Sequence, residues 1–414
     1  MRVDFARLNH ILIPDTKTGR DKFRQGRFAF LARPLERWYR GGTDVGRVLW
    51  VLWLIVGAFG LEVRENAVHI LWCGLTGLLV AGWALRRFYA LDEVSVRVEH
   101  APRVREGERL DVTFVLENRG DRDHFAIAID GPLLPWDGRY LSRQSGLQHL
   151  AAGATERAII PLEFVARGEH HLDPFHVAAT VTFGLTFGPT IETAGLRFLV
   201  LPRLAKIARL DLETTARHQP GGIALASQTG EARELIGLRP YRPGDPVRDL
   251  CHRAWARTGT PVVREYQQEY FTRLSLVLDT DLGAADRPTL EAAIRVAAGV
   301  LAHLVRGDVL VDLMIVGGEL HRLTLGRSLG RLEQALDLLA VVEPGATFEA
   351  APTLSLIAPH LDRLSSVVIV ALADDPERRR VEAEIRRRGV GCRTIVIGQD
   401  VSVEAVEREE AITL

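Results

Sequence analysis

The sequence predicts an α/β chain in three structural parts: an apolar helical hairpin near the N-terminus, an all-β segment, and a doubly wound α/β segment. Three observations predict it. Two stretches near the N-terminus are almost free of charge, apolar residues alternate with period two through residues 92–203, and from Leu274 onward continuous apolar runs take turns with helical patterns. The 414-residue length is enough for two or three domains, at roughly 100–200 residues each.

The hairpin is taken first. Val48 to Leu61 reads VLWVLWLIVGAFGL, flanked by Arg47 and Glu62, and Ala67 to Leu85 contains no Asp, Glu, Lys or Arg. A bilayer core needs about 20 apolar residues. The second stretch meets this directly, and the first does if it is counted from Val45 to Val63 with Arg47 reaching back to the head groups. The other reading is a buried helical hairpin. Trp50, Trp53, Trp72 and Trp83 are expected toward the segment ends, as an aromatic belt. A cleavable signal peptide is not expected, because the first stretch begins only at Val48 and no small-residue cleavage site follows it. Residues 1–47 carry 11 Lys/Arg against 5 Asp/Glu, Arg86 and Arg87 close the second stretch, and the turn Glu62–Asn66 holds one Arg and two Glu. Basic flanks stay on the cytoplasmic side. The expectation is a multi-pass protein of the inner (cytoplasmic) membrane with both ends inside and everything beyond Asp92 facing the cytoplasm.

The all-β segment follows over 92–203. VSVRVEH and RLDVTFVLEN alternate strictly, and FAIAID, AIIPLEFVA, FHVAAT and LRFLVLP follow between Gly, Pro and Asn turns, which reads as a β-sandwich. His170, His171 and His176 are candidate metal ligands, but Pro174 between them favours a β-hairpin. Residues 204–270 read as a linker, with HQPGGIALASQTGE as a loop, followed by an Arg-rich block.

Over 271–414 the period changes. LSLVLDT, VDLMIVGG, SVVIVALADD and CRTIVIG read as buried strands. LEAAIRVAAGVLAHLVRG, RLEQALDLLAVV and PERRRVEAEIRRRG read as helices, the last opened by Pro376 and ended by Gly389. Alternation of this kind builds a mainly parallel sheet whose ligands sit beyond the carboxyl ends of its strands. There the first strand ends in Asp279-Thr280-Asp281-Leu282-Gly283. A von Willebrand A-type site carries D-x-S-x-S at that place, with oxygen ligands suited to Mg²⁺. Here Asp281 and Gly283 stand for the two serines, and Asp374 at a later strand end is the candidate third carboxylate. The alternative is a polar strand end that binds no metal. Gly326-Arg327-Ser328-Leu329-Gly330 matches G-x-S-x-G, but His360 is the only histidine after it and Asp337 the only aspartate between, inside a helix. Ser328 is therefore read as a helix-entry residue. No phosphate-loop, H-E-x-x-H or dinucleotide fingerprint occurs. Cys73, Cys251 and Cys392 make neither a disulfide framework nor a zinc pattern. With 52 basic and 53 acidic side chains, no global field favours nucleic acid.

The remaining block is GLRPYRPGDPVRDLCHRAWARTGTPVVREY, from Gly237 to Tyr266. Pro243-Gly244 and Thr258-Gly259 read as turns and PVVREY as a short strand. Its arginines alternate with Asp245, Asp249 and Glu265, so it reads either as a salt-bridged linker or as a docking surface, where Arg, Tyr and Trp are common hot-spot residues. The order Arg239, Tyr241, Pro243, Gly244, Asp245, Arg248, Ala256, Arg257, Thr258, Gly259 resembles the signature of the DUF58 family. Leu250 replaces an Ile of that signature, His252 a Trp, and Pro240 a frequent Glu. Arg167-Gly168, Phe183-Gly184-Leu185 and Leu201-Pro202-Arg203 are similar to further family turns, with Val181-Thr182 in place of Asp-Pro. The resemblance runs from the apolar hairpin to the C-terminal segment.

It implies a membrane-anchored protein with a von Willebrand A-like end that acts with a MoxR-type AAA+ ATPase. The expectation is a non-enzymatic adaptor whose partner-binding residues are Arg239, Tyr241, Gly244, Asp245, Arg248, Arg257 and Arg264. Arg257 is expected to be structural and Arg248 to dock. The alternative is a divalent-metal-dependent ligand-binding module using Asp279, Asp281 and Asp374 with Mg²⁺. A hydrolase using Ser328 comes third.

Overall fold

A computed structural model describes residues 41–60, 67–142, 146–212, 235–245, 247–266, 272–306, 309–316, 321–325, 329–345 and 347–414. Helices and sheets are mixed along the chain, which falls into two compact units, Met1–Pro202 and Arg203–Leu414. The loop HQPGGIALASQTGE and Ser328 lie outside the described residues.

Among the described residues, the first unit contains two apolar helices, α1 (Asp44–Gly60) and α2 (Ala67–Leu85). Their outward faces are hydrocarbon: Val48, Leu54, Ile55, Phe59, Ile70, Leu71, Val80 and Trp83 are exposed. Between the helices Trp53 stacks on Trp72 at 5.8 Å, and the Trp53 indole Nε1 donates to Thr76 Oγ1 at 2.7 Å. Trp53 and Trp72 thus serve the contact between helices rather than a belt at their ends. Two helices among the described residues are long and apolar enough to cross a membrane, Ala67–Tyr89 and Arg287–Val305. Their surroundings differ, with 11% of the first span buried against 61% of the second, a core helix of the other unit.

The strands of this unit are β1 (Val94–Glu99), β2 (Arg103–Arg105), β3 (Arg109–Asn118), β4 (His124–Asp130), β5 (Gly138–Tyr140), β6 (Gly146–Leu150), β7 (Thr155–Phe164), β8 (Gly168–Leu172), β9 (His176–Ala179), β10 (Ile191–Glu192) and β11 (Leu196–Leu201). They form sheets ordered β1-β3-β7-β5, β10-β9-β4-β6 and β2-β11-β8. Alternation in β3 buries Leu110, Val112, Phe114 and Leu116 on one face. These side chains join Phe164, Phe175, Leu172 and Phe198 in a single core, with Phe114 edge-on to Phe175 at 5.0 Å. The predicted hairpin around Pro174 is not present: β8 pairs with β11 and β9 with β4, so the chain crosses between sheets there and Phe175 is buried at the crossing. His170 lies in the core, its Nε2 2.6 Å from Asp137, and His176 stands 3.7 Å from Glu192.

The second unit adds β12 (Ile207–Arg209), β13 (Leu235–Pro240), β14 (Val262–Tyr266), β15 (Thr272–Asp279), β16 (Val309–Val316), β17 (His321–Leu325), β18 (Ser366–Ala371), β19 (Gly391–Val396) and β20 (Ile412–Thr413). Its helices are α3 (His252–Thr258), α4 (Arg287–Val305), α5 (Leu329–Ala340), α6 (Ala350–Leu361), α7 (Pro376–Arg387) and α8 (Val403–Glu407). The main sheet runs β17-β16-β15-β18-β19, parallel except for the antiparallel edge strand β17. Helices α6 and α7 share a cluster with Val277, Met314, Val367 and Ile369, while α4 packs with α5 and α8. Part of the predicted linker belongs to this unit, since β12 pairs in parallel with β20 and Ala205 donates to the Arg295 carbonyl.

Candidate functional site

Strand β15 delivers Asp279 to the carboxyl edge of the sheet, and the chain turns there through Asp281, whose carboxylate accepts from the Gly283 N–H at 2.8 Å. Helix α7 begins beside them with Asp375 as its N-cap and Pro376 in its first turn. That register turns the third helical residue, Arg378, inward to 3% exposure. Its Nε donates to Asp279 at 2.8 Å, one terminal nitrogen reaches Asp279 at 2.7 Å and Asp281 at 3.3 Å, and the other bonds to Asp375. The guanidinium also lies 4.8 Å from the centroid of the Phe348 ring.

The backbone completes the shell. Asp279 accepts from the N–H groups of Asp281 and Leu372, and Asp281 from Phe348. Burial pushes the Asp279 carboxyl up. Burial also acts to raise Asp281, but the N–H groups of Phe348 and Gly283 together with Arg378 outweigh it, so this carboxyl lies below its ordinary range. For Arg378, burial opposes the charge, and Asp279, Asp375 and Asp281 more than offset it. A divalent ion here would require the carboxylate oxygens that face Arg378, and Mg²⁺ asks for near-octahedral oxygen coordination. Asp374, the third sequence candidate, turns away and pairs with Arg379, Nε to Oδ1 at 2.7 Å. The donor set as arranged does not fit a metal, and among the described residues no group of three His, Cys, Asp or Glu forms one. Of the strand end Ala373-Asp374-Asp375 it is Asp375, not Asp374, that reaches this edge. The sequence reading does not single out Arg378 or Phe348, and the helix start at Asp375-Pro376 is the signal that could have found Arg378.

The Arg-rich block forms a subassembly of its own. Strands β13 and β14 pair as an antiparallel ribbon, with Arg239 opposite Val263 and Leu238 opposite Arg264. Arg239 grips Asp245 through two bonds of 2.7 and 2.8 Å, and Asp245 also accepts from the Arg242 N–H at 2.8 Å. Those bonds, the Arg239 guanidinium first, hold the Asp245 carboxyl down to about 2. Gly244 sits at φ 107°, a region that suits glycine, and the Tyr241 N–H donates to Pro261 O.

The predicted turn at Thr258-Gly259 is the C-terminal cap of α3: Gly259, at φ 73°, donates to the Trp255 carbonyl. Arg257 is exposed on that helix, against the expectation of a structural role, and Arg248 and Arg253 are exposed as well. Val247 and Trp255, their neighbours in sequence, are also exposed, as is Leu238 on β13. Arg264 is exposed on β14; the Ala254 N–H and then Arg264 lower the Cys251 thiol. The structure therefore separates the seven partner-binding candidates: Arg239, Gly244 and Asp245 build the turn, Tyr241 anchors it, and Arg248, Arg257 and Arg264 face solvent.

No family model and no curated protein matches this chain. Among solved structures, part of the chain is similar to the alpha-2-macroglobulin of E. coli, at 19% identity over 31% of this chain and 8% of that one, with TM-score 0.20. Part is similar to the VesB protease of Vibrio cholerae, at 15% identity over 30% of this chain and 35% of that one, with TM-score 0.18. The chain thus spans well under half the length of either, and likeness at this level carries no argument about fold or activity.

Proposed function

We propose that this protein is a membrane-anchored, non-enzymatic adaptor that works with a MoxR-type AAA+ ATPase. In this reading α1 and α2 span the inner membrane as a hairpin, the sheets of the first unit form a spacing β-sandwich, and a von Willebrand A-like second unit faces the cytoplasm. The partner rests on the resemblance to the DUF58 signature. The docking surface rests on one observation: within that signature, Arg248, Arg253 and Arg257 lie exposed beside exposed Val247 and Trp255. Guanidinium groups set among apolar side chains are the composition of protein-binding hot spots. The non-enzymatic part of the reading is supported at the sheet edge, where the acids that a doubly wound fold offers to ligands are taken up by Arg378.

Co-purification of the full chain from native membranes, with the bound proteins identified by mass spectrometry, tests the reading. An AAA+ ATPase retained in stoichiometric amount is the expected result. Recovery of the chain from membranes without any ATPase would contradict it.

A further inference from the structure

The end of α2 is built differently from the rest of the hairpin. Loop 182–188 of the first unit reaches over the ends of both helices and bonds to them. The Thr43 N–H donates to Leu185 O at 3.2 Å, Thr186 Oγ1 donates to Gly82 O at 3.1 Å, and Arg86 Nε donates to Phe187 O at 2.6 Å. The Leu185 carbonyl comes so close to α1 that a Cβ on Gly46 would lie 1.8 Å from it. Gly46 lies just inside the start of its helix and Gly82 just inside the end of its own, so at about 1.5 Å rise per residue the loop lies roughly 3–5 Å within the span of the hairpin. In the proposed membrane-spanning hairpin that depth falls in the head-group layer. At the same level Trp83, Phe88 and Phe183 are 70%, 69% and 77% exposed. Phe183 holds φ 64°, a left-handed backbone that a non-glycine residue adopts at a cost.

Beside Trp83 lies an open cleft of about 530 Å³, lined by Trp83, Ala84, Arg86, Arg87 and Pro189. Its apolar wall is made by Trp83, Ala84 and Pro189, the first two on the exposed, apolar end of α2. Its charges are two adjacent arginines, one anchored by the Phe187 carbonyl and the other lying over the Phe88 ring at 4.9 Å. Arginine forks match phosphate oxygens, and indole rings prefer the head-group level.

We infer that this cleft binds the phosphate-bearing head group of an anionic phospholipid in the leaflet where α2 ends. The inference rests on the proposed membrane-spanning hairpin. An anionic lipid is favoured over free phosphate because the apolar walls would be left wet by a bare ion, whereas a phospholipid covers them with its glycerol and upper acyl groups.

The full chain, reconstituted in nanodiscs of equal phosphatidylglycerol and phosphatidylcholine, provides the test. Native mass spectrometry counts the lipids retained on release, and flotation of the same samples reports insertion. Wild type is expected to keep phosphatidylglycerol in preference to phosphatidylcholine. Arg87→Gln, at an exposed position that leaves the Arg86–Phe187 bond intact, is expected to cut that retention about five-fold, the loss of one arginine at an anionic surface. Arg197→Gln, on an exposed strand position away from the cleft, is expected to change nothing. Equal retention of the two lipids by floating wild type, or undiminished phosphatidylglycerol on Arg87→Gln, overturns the head-group site and leaves the hairpin reading standing. Displacement of the lipid by millimolar inorganic phosphate overturns the choice of lipid over free anion. A chain that does not float with the discs overturns the hairpin reading and this inference together.

Discussion

At the scale of single residues, two arginines of the second unit, Arg273 and Arg378, meet carboxylates away from water. Arg378 is the clearest case, because three aspartates surround one buried guanidinium. Removing one partner of a buried ion pair leaves an uncompensated charge, so Arg378→Ala should destabilise the second unit by about 3–5 kcal/mol, read as a fall in urea midpoint. Calorimetric titration of wild type with Mg²⁺ should show no heat of binding. A micromolar constant lost in Asp279→Ala would restore the metal-dependent reading. Asp245 gives a second prediction, in pH. Its carboxyl is held down to about 2, so the Arg239–Asp245 clasp contributes fully above the unfolded value of about 3.9 and is lost as pH falls from there through about 2. Carboxyl resonances should place the Asp245 midpoint near the lower figure in wild type. In Arg239→Ala the midpoint should move up toward the ordinary range, and an unmoved midpoint would show that the Arg242 N–H alone suffices.

At the scale of elements, the contact between the hairpin and the loop across its ends makes a sharp prediction. Gly46→Ala places a methyl group 1.8 Å from the Leu185 carbonyl, so backbone must shift. Gly74→Ala meets nothing within 4 Å. The first should lower thermal stability in detergent by about 1–3 kcal/mol, and the second should be neutral or slightly stabilising. Equal behaviour of the two would mean that the loop does not sit against α1.

Elements were legible where one local rule dominates. The alternation of Arg109–Asn118 marks β3 from end to end, and Asp375-Pro376 marks the start of α7. Helix α6 was missed because Pro352 and Pro359 in Ala350–Leu361 argue for a loop; burial of Thr353, Ile357 and Leu361 at four-residue spacing overrides them. Helix α3 spans only seven residues, too few to display a period, and its capping glycine reads equally as a turn. The crossing at Pro174 could not be told from a hairpin, because the choice depends on which sheet receives Phe175. At the sheet edge Asp279 and Asp281 were legible from their place after a buried strand. Arg378 was not, because it is one of three consecutive arginines and only the helix register selects which of them turns inward.

At the scale of the whole molecule, the proposed topology has both basic flanks of the hairpin on the cytoplasmic side. Reporters active only in the cytoplasm, fused after Arg87 and after Leu414, should both be active. An inactive reporter at Leu414 would place the Arg-rich surface out of reach of a cytoplasmic ATPase. The central claim is that this surface docks the partner, and the most direct measurement is ATPase retention by the full chain, read in parallel with its melting temperature. Arg248→Ala and Arg257→Ala, exposed within the signature, should each reduce retention while the melting temperature stays within a few degrees, as expected for interface arginines rather than buried pairs. Arg239→Ala, which breaks the clasp on Asp245, should lower both together. Unchanged retention in Arg248→Ala and Arg257→Ala, with the fold intact, would contradict the claim.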